Sequence, residues 1–279
     1  MKYEILNIDI DYEKIGTKGT DYKPYLSVYI PDNSKEIDLN RKRPTVVICP
    51  GGGYSMTSDR EAEPLAFKLL AADLNVIVVR FDVRPVQFPA QILEVAFAIL
   101  KAREMAEEWN VDTEKIVVMG FSAGGHLAAS YGNLWNKDFV KEYFGLKGGE
   151  NKPNGMILGY PVIMSEGNEI SRGNMINLLG DKINDKELLK LLSCEKQVSE
   201  DTPPAFIWHT FEDAVVTVEN SLVMASALKE KNINTELHIF PHGRHGLSLC
   251  NSSVYKEYDG FASEVQCWID MAIRWITNL

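Results

Sequence analysis

A chain of 279 residues with 45% apolar side chains is long enough to enclose a sizeable core. Its formal charge of −10 argues against a surface for nucleic acid or anionic membrane, because either needs a cationic footprint; any partner is uncharged or cationic. Four cysteines, Cys49, Cys194, Cys250 and Cys267, show neither C-x-x-C nor His-Cys spacing, which disfavours a zinc cluster or a disulfide framework. Residues 1–13 interleave charges with Ile and Leu and contain no basic stretch leading into an apolar one. No later run is long enough to span a bilayer, so the expectation is a cytoplasmic protein with no membrane partner.

Along the chain, residues 25–30 alternate polar with apolar and suggest an antiparallel edge or hairpin near the N-terminus. Short runs rich in β-branched residues then recur at 45–49, 76–81, 116–119, 155–160, 205–210 and 235–240. Helical spacing fills 63–72, 89–109, 125–134, 218–231 and 261–276 between or after them. In 89–109, Ile92, Val95, Ala96 and Ile99 form one stripe, and Pro89 suits the first turn. This alternation predicts an α/β fold, a mostly parallel sheet buried on both faces by helices, as one domain over residues 1–279. The long departure at 162–203 holds a polar helical piece around 185–192 and ends at Pro203-Pro204. It reads equally as a cap over a site or as packing.

Gly120-Phe121-Ser122-Ala123-Gly124 follows the run 116–119 and precedes the helical residues 125–134. In that setting G-x-S-x-G reads as a nucleophile elbow, whose small residues let the chain turn sharply and expose the Ser122 oxygen. An ordinary tight-turn serine is the plainer alternative. Acyl transfer through serine also needs a base, a group that orients it, and donors for the oxyanion. Asp213 follows the run 205–210 and is the expected acid, with adjacent Glu212 as substitute. His245, before a glycine in Pro241-His242-Gly243-Arg244-His245-Gly246, is the expected base; His126, His209 and His238 read as structural. Gly51, Gly52 and Gly53 follow the run 45–49, where a glycine-rich loop supplies backbone donors, so Gly52, Gly53 and Ala123 are the expected oxyanion hole. A phosphate loop is disfavoured, since no Lys-Ser or Lys-Thr follows the glycines. A zinc site from His209, Asp213, His242 and His245 lacks a helical H-E-x-x-H or cysteine pairs.

Taken together, Val47-Ile48-Cys49-Pro50-Gly51-Gly52-Gly53-Tyr54, Phe88-Pro89-Ala90-Gln91, Gly120-Phe121-Ser122-Ala123-Gly124-Gly125-His126-Leu127-Ala128, Trp208-His209-Thr210 and Gly243-Arg244-His245-Gly246 resemble the acetyl-esterase and acetyl-xylan-esterase-like members of the α/β-hydrolase superfamily. The resemblance runs from about Thr45 to the C-terminus. It implies an α/β-hydrolase fold with the 162–203 insertion after the sixth strand. It also implies hydrolysis of short acyl esters, often acetyl groups on xylose-containing sugars, by Ser122, Asp213 and His245, with no metal and no organic cofactor. The sequence departs from the pattern twice: Pro50 stands where the glycine loop commonly has histidine, and Thr217 where proline is usual.

The resulting reading is a serine carboxylesterase of short-chain esters, with a small-molecule or oligosaccharide ester as partner and a homo-oligomer left open. Tyr54, Tyr160 and Trp135 are read as an aromatic wall for sugar or acyl group. Two other readings stand beside it, a prolyl-oligopeptidase-type serine peptidase and a catalytically silent hydrolase-fold binding protein.

Overall fold

In the computed structural model, residues 1–166 and 169–279 are described. Residues 167 and 168 of the expected insertion lie outside the described residues. The strands are β1 (Lys2–Asn7), β2 (Tyr25–Ile30), β3 (Arg43–Cys49), β4 (Asn75–Arg80), β5 (Val111–Phe121), β6 (Gly155–Gly159), β7 (Ala205–Thr210) and β8 (Thr235–Phe240). They form an eight-stranded sheet in the order β1-β2-β4-β3-β5-β6-β7-β8. β2 pairs antiparallel with both β1 and β4, and the pairings from β4 through β8 are parallel.

The near-continuous apolar strands follow from burial on both sides, because successive side chains point to opposite faces. Val47 and Cys49 enter one core and Val46 and Ile48 the other; Ile116 and Val118 likewise oppose Val117 and Met119. The first core is covered by α2 (Ala90–Glu104), α3 (Ala123–Leu134) and α7 (Glu219–Glu230). The second is covered by α1 (Glu63–Leu70) and α8 (Trp268–Thr277). Each fully buried Val, Leu or Ile contributes about 1.5–3 kcal/mol.

Several boundaries differ from expectation. Residues 25–30 are antiparallel, as expected, but not an edge: β1 pairs along them and is itself the edge strand, with Tyr3 and Ile5 exposed and the charged Lys2 and Glu4 half-buried between them. Those charges also hide β1 from a hydrophobicity reading. The helix expected through 109 ends at Glu104, after which the chain turns Trp109 into the core, where it is fully buried and its carbonyl accepts from Asn75 Nδ2. The last helix begins as a 3-10 turn, Ser263–Cys267. Helix α4 (Asp138–Phe144) was not expected; Gly145 ends it with φ of 69°.

Within the insertion lie α5 (Glu169–Leu179), a 3-10 turn at Gly180–Asn184 and α6 (Lys186–Leu191). Asp185 caps α6 by accepting from the N–H groups of Glu187 and Leu188. Asn177 of α5 donates from Nδ2 to the carbonyl of Gly53 at 2.7 Å, which ties the insertion to the glycine loop after β3. Among the described residues no helix is long and apolar enough to cross a membrane.

Candidate active site

Ser122 sits between the last residue of β5 and the first of α3, with φ 53° and ψ −119°. A non-glycine residue held there costs about 1–3 kcal/mol and persists only where its surroundings over-determine it. Here they do: Ser122 N–H donates to the Gly159 carbonyl, and the Ser122 carbonyl accepts from the N–H groups of His126 and Val162. The flanking glycines are required by contact. A Cβ on Gly120 would lie 2.0 Å from the Gly124 carbonyl oxygen, and one on Gly124 would lie 2.1 Å from that of Cys49.

The loop after β8 brings His245 to the elbow, where its Nε2 accepts from Ser122 Oγ at 2.8 Å. On the other side of the ring, Nδ1 donates to Asp213 Oδ2 at 2.6 Å. Asp213 follows β7 and its side chain is fully buried. Its Oδ1 accepts from the N–H groups of Val215 and Val216 at 2.9 and 3.0 Å. Burial by itself would push this carboxyl up. Hydrogen bonds from His209 and His245, attraction to His245 and the Val215 N–H together outweigh it and hold the group well below the usual carboxylate range. An ionised Asp213 fixes the proton on Nδ1 and leaves the Nε2 lone pair facing Ser122.

Beside Ser122 the glycine loop leaves donors open. Among the described residues no hydrogen bond uses the N–H of Gly52, Gly53 or Ala123, whereas the Gly51 N–H donates to Glu61 Oε2 at 2.7 Å. Gly52 and Gly53 have φ of 128° and 66°, and a Cβ on Gly52 would collide with the Met56 carbonyl oxygen at 2.2 Å. These glycines, Ser122 and His245 line an open cleft of about 290 Å³. Met56, Ile170 and Val215 give it an apolar rim, Ile170 coming from α5.

Other sequence candidates go elsewhere. Trp135 lies outside the cleft: it ends α3, donates from Nε1 to the Asp201 carbonyl and accepts at its own carbonyl from Asn151. Thirteen residues of helical rise carry it about 20 Å from Ser122. Tyr54 is 1% exposed and faces inward, its hydroxyl donating to His126 Nδ1 at 2.7 Å, so it anchors the glycine loop to the core instead of forming a wall. His126 in turn donates from Nε2 to the Leu192 carbonyl, and burial pushes its pKa down to about 4. Tyr160 is equally buried, beneath the cleft, with its ring 5.1 Å from that of His245 in an edge-on arrangement. Glu212 pairs with His242 at 2.9 Å on the surface, away from His245. Among the described residues no three His, Cys, Asp or Glu side chains gather as a metal ion would require.

Sequence reasoning missed Glu61, which touches the glycine loop, and Ile170 and Asn174, which bring the insertion to the cleft. A lone acid before the 63–72 helix signals only a favourable charge at a helix start.

The BD-FAE family model matches residues 26–228. The chain belongs to the BD-FAE family. It is 38% identical over 225 residues to endo-1,4-beta-xylanase B of Butyrivibrio fibrisolvens, covering 78% of this chain and 35% of that one. It is 30% identical over 230 residues to acetylxylan esterase of Xylanibacter ruminicola, covering 80% and 45%. This BD-FAE chain thus spans less than half the length of these two curated relatives. Among solved structures, the acetyl ester-xyloside bifunctional hydrolase of Caldicellulosiruptor lactoaceticus is 33% identical with a TM-score of 0.81, covering 99% of this chain and 96% of that one. A carboxylesterase from Lactobacillus plantarum WCFS1 is 25% identical with a TM-score of 0.83, covering 100% and 98%. The fold of this family member is that of an α/β-hydrolase.

Proposed function

We propose that this chain is a serine carboxylesterase that hydrolyses short-chain acyl esters, acetyl esters of xylo-oligosaccharides or related sugars foremost. The observation that carries the reading is the continuous line Ser122 Oγ to His245 Nε2 at 2.8 Å and His245 Nδ1 to Asp213 Oδ2 at 2.6 Å. Support for the sugar comes from its relatives, which include a xylanase, an acetylxylan esterase and an acetyl ester-xyloside hydrolase.

In this reading Ser122 Oγ attacks the ester carbonyl carbon as its proton passes to His245 Nε2. Asp213 stabilises the imidazolium and keeps the ring oriented. The carbonyl oxygen, now negative, is met by the N–H groups of Gly52, Gly53 and Ala123, each donor worth on the order of 3 kcal/mol in such enzymes. The C–O bond to the alcohol breaks, the alkoxide takes the proton from Nε2, and an acyl-Ser122 remains. Water then gives a proton to Nε2 as its oxygen attacks the acyl carbon; the bond from that carbon to Ser122 Oγ breaks, Nε2 returns the proton to Oγ, and the acid leaves with Ser122 restored. No metal or organic cofactor enters these steps. A cytoplasmic workplace belongs to the same proposal, supported by four cysteines that are all free thiols.

Fluorophosphonate labelling combined with initial rates tests it. Wild type should label and hydrolyse p-nitrophenyl acetate, and Ser122→Ala should do neither; an unlabelled wild type would instead leave a silent binding protein. Rates across acetyl, butyryl, octanoyl and feruloyl esters and acetylated xylo-oligosaccharides should favour acetyl over octanoyl, an expectation that rests on the resemblance to acetyl esterases; faster octanoyl turnover would overturn it. Faster cleavage of prolyl peptides than of any ester would favour the peptidase.

A further inference from the structure

Glu61 is 3% exposed and makes no ion pair among the described residues, yet two parts of the site depend on its carboxylate. Oε2 accepts from Gly51 N–H at 2.7 Å, and Oε1 accepts from the Tyr160 hydroxyl at 2.6 Å. Pro50 has no N–H, so Gly51 is the first residue of the glycine loop that can be held by a backbone donor. That loop lies directly over the elbow, since a Cβ on Gly51 would be 3.1 Å from Ser122 Cβ. The Tyr160 hydroxyl also accepts from Ser248 N–H at 3.0 Å, three residues beyond His245, and the Tyr160 ring packs against the imidazole. Ser248 Oγ returns to the carbonyl of Arg60 at 2.6 Å, closing a ring of bonds around the same segment. One carboxylate therefore joins the loop that carries the open N–H donors to the segment that carries the base. Burial pushes its carboxyl up, and the hydrogen bonds from Tyr160 and Gly51 pull it back toward the ionised form.

Resting on the esterase reading above, we propose that Glu61 is a positioning residue: it holds Gly51 so that the N–H groups of Gly52 and Gly53 face the oxyanion, and through Tyr160 it sets the seat of His245. An amide at this position is uncharged and has one oxygen for two donors: it either turns its NH₂ against the Gly51 N–H, or keeps Gly51 and turns the NH₂ to the Tyr160 hydroxyl, which can accept it but then loses its own acceptor. The expected consequence is a loop that still binds ester and no longer meets the developing charge, a defect of kcat and not of KM.

The test compares Glu61→Gln and Tyr160→Phe with wild type, using kcat per active site titrated by burst amplitude, KM for p-nitrophenyl acetate, the fluorophosphonate labelling rate and Tm. Glu61→Gln should lower kcat per titrated site about 10- to 100-fold, with KM within about threefold and labelling slowed in parallel. Tyr160→Phe should lose less, because Gly51 keeps its acceptor, and the double variant should be no worse than Glu61→Gln alone. A purely structural role would lower Tm and the titrated fraction while kcat per site stayed within twofold, and that result overturns the proposal. So does a rise in KM with kcat unchanged. If Glu61→Gln does not fold, Tyr160→Phe decides: a lower kcat per site at wild-type Tm supports the proposal, and wild-type kcat overturns it. A wild type that neither labels nor turns over defeats the esterase reading instead, which keeps the two failures apart.

Discussion

Nε2 of His209 lies 3.3 Å from Asp213 Oδ2, the same oxygen that receives the Nδ1–H of His245 at 2.6 Å. His209 Nε2 also donates to the Val216 carbonyl at 2.8 Å, so its proton sits on that nitrogen and its dipole faces the carboxylate. Two imidazoles and two backbone N–H groups thus converge on one buried acid, which keeps it charged and still.

Asp213→Asn should therefore lower kcat on p-nitrophenyl acetate by roughly 10³- to 10⁴-fold, because an amide no longer selects the Nδ1–H tautomer of His245. Glu212→Gln, which removes only the exposed pair with His242, should stay within twofold. Equal losses in the two variants would refute the assignment of the acid.

Acid should weaken the fold through two groups. Asp213 is held below its ordinary value of 3.8, so its contribution is present above about pH 4 and is lost as pH falls below that. His126 is pushed down from 6.5 to about 4, so the unfolded chain binds the proton first and stability drains away as pH falls from about 6.5 to 4. For His126 that shift corresponds to about 3 kcal/mol in all. Urea midpoints at pH 7 and 4.5 check this: His126→Gln should be weaker than wild type at pH 7 and lose less on acidification. Parallel losses would count against a buried neutral imidazole.

The strained elbow gives an opposing pair of effects in one substitution. Ser122→Gly should be inactive and yet more stable by about 1 kcal/mol, since relief of the unfavourable φ and ψ exceeds the backbone entropy glycine adds to the unfolded chain. For a chain of this size the expected rise in Tm is about 2 °C. Calorimetry showing a lower Tm would mean that the serine is not strained there.

Glycines can be separated by what a Cβ would meet. Gly124→Ala would place its methyl 2.1 Å from the Cys49 carbonyl oxygen and 2.4 Å from that of Pro50, backbone atoms that cannot yield, and should cost more than about 3 kcal/mol along with activity. Gly173→Ala in α5 would meet nothing within 4 Å and should stabilise by about 0.5–1 kcal/mol with activity intact. Denaturant melts of both variants distinguish these outcomes.

Much of the fold was legible because its rules are local. Strand β7 coincides with the run 205–210, since a strand buried on both faces is nearly continuously apolar, while the half-exposed edge strand β8 coincides with 235–240 through its β-branched and aromatic residues. The glycine spacing around Ser122 was legible for a similar reason: a strand that turns at once into a helix crowds its own neighbours, whatever lies farther away. β1 escaped notice because an edge strand carries charges that blur its pattern.

Direction and distance were decided only by tertiary structure. Glu61 and Glu63 are two acids at one helix start; Glu63 is exposed, whereas Glu61 turns inward because Gly51 and Tyr160, distant in sequence, present donors to it. Glu212 and Asp213 are neighbours along the chain, and the turn after β7 sends one to the surface and the other toward two histidines. Trp135 has the chemistry of a binding residue, but α3 carries it away from Ser122. Periodicity reports which face of an element is apolar, while a site forms where elements far apart in sequence meet, and that depends on the order and register in which the sheet assembles.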